Sequence, residues 1–412
     1  MFRRILTLFS VVALALVLAA PAEAQFARAG VGGTVTDPDG ASLPGVTVTA
    51  LDEASGFSRT GVTTVDGGFT FNGLQPGVYT LTFELQGFRT IERSGIKLTV
   101  GQTTELNITL ELGSVEETIT VTAQSPMVEV TSKEVGGAID TEEFRDLPSI
   151  NHSFVNFAAL VPGVIARPSS SSTAADALFV NGQDDNNNSF NVDGANNEDD
   201  VIGARAGAQV RTAIEAIQEF QILTTQFDAE FGRTTGGVLN AITKSGGNEY
   251  HGNGFFYNQD SDLNDRNFFT IRNNLPQADE TFKQEGYAIG GPFVKDTAHW
   301  FTSLERSTPN EGISRNFESR PELSFTTSEA NLLRNWVLKA DVLVTPDNKA
   351  AVRYLREFSP QFNQIIGSRT TQEASREEND HDDTVVGTLD TVFTDTTFNN
   401  IRASFTREDV SF

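Results

Sequence analysis

The chain has 412 residues, 30 basic side chains against 55 acidic ones for a net charge of −25, and no cysteine. That acidity repels phosphate backbones and argues against nucleic-acid binding, and the missing thiols exclude disulfide scaffolds, Cys-ligated zinc and thiol catalysis together. No apolar run after residue 20 approaches the ~18 residues of a spanning helix, but alternating membrane strands stay open, and 31 Phe need somewhere apolar to face.

Residues 1–24 read as an export signal. Arg3 and Arg4 precede an apolar stretch from Ile5 to Ala20, and Pro21-Ala22-Glu23-Ala24 supplies a small-residue cleavage site. The absence of cysteine suits an oxidising compartment beyond the inner membrane.

Residues 27–112 alternate short β-branched runs with turn chemistry. Asp37-Pro38-Asp39-Gly40, Ala54-Ser55-Gly56, Asp66-Gly67-Gly68 and Pro76-Gly77 each combine a residue that presets a turn with a glycine that tolerates positive φ. Tyr79, Leu81, Phe83 and Leu85 alternate with mostly polar neighbours, as do Leu106, Ile108, Leu110 and Leu112, so one face is buried and one is wet. About seven strands in this span predict a soluble β-sandwich. Its acids sit at turns, where they serve the local backbone and not catalysis. The pattern resembles the carboxypeptidase regulatory-like domain, which implies a transthyretin-like, non-catalytic module.

Residues 113–124 hold a β-branched run from Thr118 to Thr122, poor helix and good strand. It reads either as a linker or eighth sandwich strand, or as a peptide that adds to the open sheet edge of a partner. Glu117, Thr118, Ile119, Thr120, Val121, Thr122 and Ala123 resemble the TonB box of TonB-dependent outer-membrane receptors. That resemblance implies pairing with a TonB-like inner-membrane energising protein.

Residues 125–247 read as a mixed α/β domain. Asp140 to Phe144 open a short helix ended by Pro148, and Phe154, Phe157 and Ala158 mark a second, stopped at Pro162-Gly163. Asn181-Gly182 signals a tight turn. Six acids and no base fall between residues 184 and 200. Ser189, Asn191, Asp193, Gly194 and Asp200 partly match a calcium-loop template, but the first and twelfth positions depart from it. The competing reading is a strand from Ser189 to Asp193 closed by an Asp-Gly turn, and no metal is assigned. Farther on, the segment from Ile217-Gln218-Glu219-Phe220 through Gly232-Arg233 and Gly236-Gly237 to Asn240, Thr243, Lys244, Ser245 and Gly246 resembles the end of the plug of TonB-dependent receptors, the Oar-like group in particular. Asp193, Gly194, Gly232, Arg233, Gly236, Gly237, Asn240, Thr243 and Lys244 are the signature positions of that resemblance. The three later glycines are expected to let backbones approach closely, and the P-loop pattern is absent.

From residue 248 to 412, seven strands of about ten residues are expected: 249–258, 281–291, 297–306, 335–345, 349–358, 384–393 and 398–408. Trp336, Leu338, Ala340, Val342 and Val344 share one face, with Lys339 and Asp341 opposite. The connections alternate long and short, which a soluble sandwich has no reason to keep and an outer-membrane barrel does, with short turns in the periplasm. Seven strands cannot close a barrel around a plug, for which about 22 are needed, so the chain reads as an N-terminal portion of a longer protein.

The fold class expected is therefore mainly β: a transthyretin-like sandwich, a mixed α/β plug and the first strands of a transmembrane antiparallel barrel. The resemblance implies an outer-membrane receptor that moves a large or scarce ligand, with the sandwich and box-like segment in the periplasm and outer-membrane lipid around the strands. The alternative is a surface adhesin or scaffold with a carbohydrate- or protein-binding sandwich and no transport. No catalytic motif is present, no cofactor is expected, and His152, His251, His299 and His381 show no ligand spacing.

Overall fold

The computed structural model describes residues 28–113, 118–120, 135–141, 154–167, 177–198, 211–227, 231–232, 234–263, 265–266, 268–277, 279–364, 371–394 and 397–411. The expected export signal, most of the box-like segment and residues 168–176 lie outside them.

The first unit contains β1 (Ala29–Thr36), β2 (Thr47–Asp52), β3 (Ser58–Val62), β4 (Gly68–Leu74), β5 (Gly77–Glu84), β6 (Thr90–Leu98), β7 (Thr103–Glu105) and β8 (Ile108–Thr109). They form two sheets, one ordered β3-β2-β5-β6, the other β4-β1-β7 with β8 also on β1. The alternation in β5 does what it predicts: Tyr79, Leu81 and Phe83 are buried, while Val78 and Glu84 face out. They meet Val31, Val48, Phe69 and Phe71 in one core. Burying a side chain such as Phe83 contributes about 2–3 kcal/mol. Strand β9 (Thr118–Thr120) continues the first sheet, its backbone running parallel to β6 with Thr90 beside Thr118 and Glu92 beside Thr120.

The second unit holds β10 (Val135–Asp140), β11 (Val164–Arg167), β12 (Ala177–Val180), β13 (Ser189–Val192), β14 (Ala195–Asn196), β15 (Ile217–Thr225) and β16 (Val238–Thr243). Five of them make one sheet, ordered β10-β15-β16-β13-β14, and β11 pairs with β12. Every residue of β16 is buried, as befits a central strand covered on both faces. Asp140 closes β10 where a helix cap is expected. Its extended backbone at the strand end is what an N-cap requires, and the helix opens at Thr141. Within the strand, Gly136 lies so close to β15 that an added Cβ would stand 2.0 Å from the Ile222 carbonyl. The helix expected after Asp140 falls almost wholly outside the described residues. The one expected near Phe154 is a 3-10 turn, Phe154–Leu160.

The third unit is a wall of nine strands: β17 (His251–Asp260), β18 (Thr281–Val294), β19 (Ala298–Arg315), β20 (Phe325–Asn331), β21 (Leu333–Thr345), β22 (Asn348–Phe358), β23 (Gln361–Gln364), β24 (Arg376–Thr394) and β25 (Thr397–Ser411). Seven long strands run β17-β18-β19-β21-β22-β24-β25, each antiparallel to the next, and each overlaps one of those expected. The stretches 307–334 and 359–383, expected as long loops, are partly strand. Strand β19 continues to Arg315 and pairs with β20, and β24 starts at Arg376. Beyond the apolar band the side-chain alternation that marks a membrane strand stops, but the backbone ladder goes on.

The wall is turned inside out relative to a soluble sheet. In β21, Asn335, Val337 and Asp341 are buried while Trp336, Ala340, Val342 and Val344 are exposed. Leu304, Val352, Val385 and Leu389 extend the exposed apolar band to neighbouring strands. Apolar side chains outward and polar ones inward is the arrangement of a barrel wall in lipid, and it gives much of the Phe excess a destination: Phe256, Phe293, Phe393 and Phe405 are all exposed. Among the described residues no helix is long and apolar enough to cross a membrane.

Candidate functional site

The plug sheet lies against the polar inner face of the wall, and the contact converges on one turn. Strands β13 and β14 form a hairpin joined by Asp193-Gly194, with φ of 47° and 73°. Two consecutive left-handed residues are what a tight hairpin turn of Asp-Gly requires. The strand reading of residues 189–193 is therefore the one the backbone adopts. Ser189 and Asn191 are buried in a strand, and Asn191 Nδ2 donates to Ser189 Oγ at 3.1 Å, so they do not form a calcium loop.

The Asp193 carboxylate is held from two sides. From β16, the Thr243 backbone N–H donates at 2.8 Å and its hydroxyl at 2.6 Å. From the wall, Arg353 Nη1 on β22 donates at 2.9 Å, and Lys339 Nζ on β21 stands 3.9 Å away while donating to the Thr243 carbonyl at 3.0 Å. A third wall cation, Arg402 on β25, donates to the Gly194 carbonyl at 2.9 Å. Asn240 completes the turn by accepting the Gly194 N–H at 3.1 Å. Burial pushes the Asp193 carboxyl up, but Lys339, Arg353 and the Thr243 hydrogen bonds outweigh it and bring it down to about 2. At neutral pH this is a charged latch between plug and wall.

A second latch sits farther along β22. The Arg211 backbone N–H donates to Glu357 Oε2 at 2.6 Å, its Nε donates to Oε1 at 2.9 Å, and Nη2 also reaches Oε1. A planar guanidinium suits this multiple contact in a way lysine could not.

The remaining signature residues serve the plug itself. Gly236 and Gly237 lie at the start of β16: a Cβ on the first would stand 2.4 Å from Asn188 Oδ1, and on the second 2.8 Å from the Val180 side chain. Gly237 N–H donates to Asn188 Oδ1 at 2.8 Å, which locks this approach. Among the described residues an added Cβ at Gly232 would meet nothing within 4 Å, so close approach is seen at two of the three glycines. The Lys244 N–H donates to the Ala216 carbonyl at 2.8 Å. Arg233, Glu117, Val121, Thr122 and Ala123 lie outside the described residues, and of Thr118, Ile119 and Thr120 the backbone alone is described, as β9 on the sandwich edge.

The sandwich sits at the short-turn end of the wall. Asn248 N–H donates to the Ala54 carbonyl at 2.7 Å, Lys349 Nζ donates to Gln75 at 2.6 Å and stands 4.2 Å from the centre of the Phe57 ring, and Arg28 pairs with Asp390. Sandwich and plug also share a seam in which Glu219, almost wholly buried, accepts the Val100 N–H at 2.7 Å. Burial is the main cause that raises the Glu219 carboxyl to about 8.

Sequence reasoning found Asp193, Gly194, Asn240 and Thr243, and the structure brings those four together. It missed Arg353, Arg402, Arg211, Glu357 and Glu219. The available signal was a charged residue on the face of a strand opposite its apolar row, which Lys339 shows and Arg353, next to exposed Val352, shares.

Comparison with known proteins follows the same division. Residues 30–111 match the carboxypeptidase regulatory-like domain family, and residues 242–330 match an outer membrane beta barrel domain family. Over 278 residues the chain is 29% identical to the TonB-dependent transporter Oar of Myxococcus xanthus, an alignment covering 64% of this chain and 25% of that protein. The fold is similar to that of the siderophore receptor PirA from Acinetobacter baumannii, with a TM-score of 0.51, 18% identity and coverage of 66% of this chain and 40% of that one. It is also similar to the outer membrane transporter YddB from Escherichia coli, at a TM-score of 0.50, 14% identity and coverage of 68% and 42%. The chain thus spans from a quarter to about two-fifths of the length of these relatives. They are transporters and receptors, not enzymes.

Proposed function

We propose, from the premise that the chain is an outer-membrane homologue of the TonB-dependent transporter Oar, that it opens a path for a large or scarce ligand when its plug is pulled free of the wall. The observation that carries this reading is the latch at Asp193, where the plug signature meets three cations of separate wall strands. A plug that only filled space would need no buried charge pairing, whose desolvation is costly. A plug that must stay shut and yet move gains from a contact that is specific in place and breaks as a unit.

The pull enters through residues Glu117 to Ala123. A TonB-like inner-membrane protein pairs with them as an added strand, and main-chain bonds carry the load. The segment's position as β9 on the sandwich edge supports its capacity for strand addition. It also sets an order of events, because the partner has to displace the β6 edge before it can hold the segment.

The sandwich at the short-turn end favours this reading over a surface adhesin. Short turns face the periplasm in outer-membrane barrels, whereas an adhesin would carry its binding module at the opposite end. Deletion of residues 117–123 tests the proposal. Ligand uptake is expected to fall to the unenergised level with normal amounts of protein in the outer membrane, and unchanged uptake would refute the role of the segment.

A further inference from the structure

The inner face of the wall carries an oxygen-lined site that the latch at Asp193 does not use. Glu357 on β22 and Asp380 and Asp382 on β24 each present a carboxylate oxygen, and these three atoms lie within 4.8 Å of one another. Glu357 and Asp382 are register partners on adjacent strands, and Asn335 on β21 is the partner of Glu357 on its other side. All three are at most 3% exposed and belong to the inward set of their strands. Register partners on one face stand about 5 Å apart at Cβ. Among the described residues, Asp382 Oδ1 and Asn335 Oδ1 have no hydrogen-bond donor. Two buried acceptors facing a cluster of acids are a costly arrangement unless a cation fills it.

The charge points the same way. Arg211 supplies one positive charge to three carboxylates and donates to both oxygens of Glu357. With all three carboxylates ionised, as metal ligation requires, the cluster carries two negative charges beyond that of Arg211, which one divalent ion balances. Calcium takes carboxylate and amide oxygens at about 2.3–2.6 Å, so ligands on opposite sides of the ion stand roughly 4.6–5.2 Å apart. The observed span accommodates that without moving a strand. Magnesium, at about 2.0–2.1 Å, needs a tighter cage.

We propose that Glu357, Asp380, Asp382 and Asn335 form a calcium site on the inner face of the wall. It lies near the long-loop rim, since Glu357 is roughly 30 Å of strand away from the short turn at Asn348 at about 3.3 Å per residue. Bound there, the ion ties β21, β22 and β24 together beside the plug segment that Arg211 anchors. The site is independent of transport and of the box-like segment.

Calcium titration of the purified full-length protein by isothermal calorimetry tests it, with folding of every variant checked by heat-modifiable gel mobility. One calcium per site is expected, reversed by a chelator and weakened at least tenfold in Asp382→Asn. Asp409→Asn, a change in an exposed ion pair on β25, is expected to leave binding unchanged. Should Asp382→Asn fail to fold, Asn335→Ala serves in its place and is expected to weaken binding severalfold without altering the charge. No binding by the folded protein at millimolar calcium would overturn the proposal. So would equal affinity in the two variants, or loss of binding on deletion of residues 184–200 alone.

Discussion

Asp193→Asn is the sharpest perturbation of the latch, because it removes charge and little else. Asparagine tolerates the left-handed backbone at φ 47° as well as aspartate does, so the hairpin turn is kept. The amide oxygen can still accept from Thr243, but Arg353, whose side chain is 4% exposed, loses its counter-ion. Two routes give the size of the effect. The lowering of the Asp193 carboxyl from 3.8 to about 2 corresponds to about 2 kcal/mol. Breaking a buried pair by removing one partner costs about 3–5 kcal/mol. A loss of about 2–5 kcal/mol raises the population of unlatched plug by roughly thirtyfold to a few thousandfold. Native-state hydrogen exchange of the full-length protein reads this at the amides of Gly194 and Thr243, which the latch protects. Exchange there should speed up by that factor, with the sandwich amides unaffected, and the double variant Asp193→Asn with Arg353→Met should recover part of the loss. Unchanged exchange at both amides would refute the reasoning, since the charge pairing would then hold nothing.

Other consequences follow from the same contacts. The depressed Asp193 carboxyl contributes stability that is present above pH 3.8 and is lost as pH falls through about 2, so the latch amides should open in acid ahead of the sandwich core. Glu219 has the opposite sign: its folded-state value of about 8 exceeds the ordinary 4.5, so the sandwich–plug seam is strongest below about 4.5 and weakens as pH rises from there to about 8. Exchange of the Val100 amide against pH measures this, and Glu219→Gln should flatten the profile. Gly237→Ala should destabilise the plug by about 1–3 kcal/mol through its clash with Val180, whereas Gly232→Ala, with no described neighbour within 4 Å, should be near neutral. Val352→Arg puts a charge on the outer face of the wall and should cost about 2–4 kcal/mol near the bilayer midplane, read as a lower unfolding temperature in heat-modifiable gels.

The elements legible in the sequence were those with a local physical signature. Alternation in Trp336 to Val344 gave a wall strand and its inward and outward faces, and Asp193-Gly194 gave a hairpin turn, because side-chain period and left-handed backbone are both set within a few residues. Asp140 marked a helix start that the structure places at Thr141, but its pairing to β15, some eighty residues away, left no local trace. The site was half legible for the same reason. Asp193 stands in one recognisable stretch and Asn240 and Thr243 in another fifty residues on, but Arg353 and Arg402 come from strands 160 and 208 residues from the turn they hold. Nothing in the neighbourhood of either residue marks its partner, and the inner face carries many polar and charged side chains beside apolar ones such as Val337 and Leu355, so charge alone does not single them out. Arg211 and Glu357, 146 residues apart, escape for that reason too.

The central claim is that pulling on the box-like segment releases the plug from the wall. These 412 residues hold no cysteine, so a thiol introduced among them is followed at its own peptide by mass spectrometry. Ser189, buried in β13 beside the latch, is replaced by cysteine, and its labelling by a permeant maleimide is followed in cells. Labelling should be fast in energised cells and slow both in de-energised cells and after deletion of residues 117–123. Equal rates in all three would contradict the account.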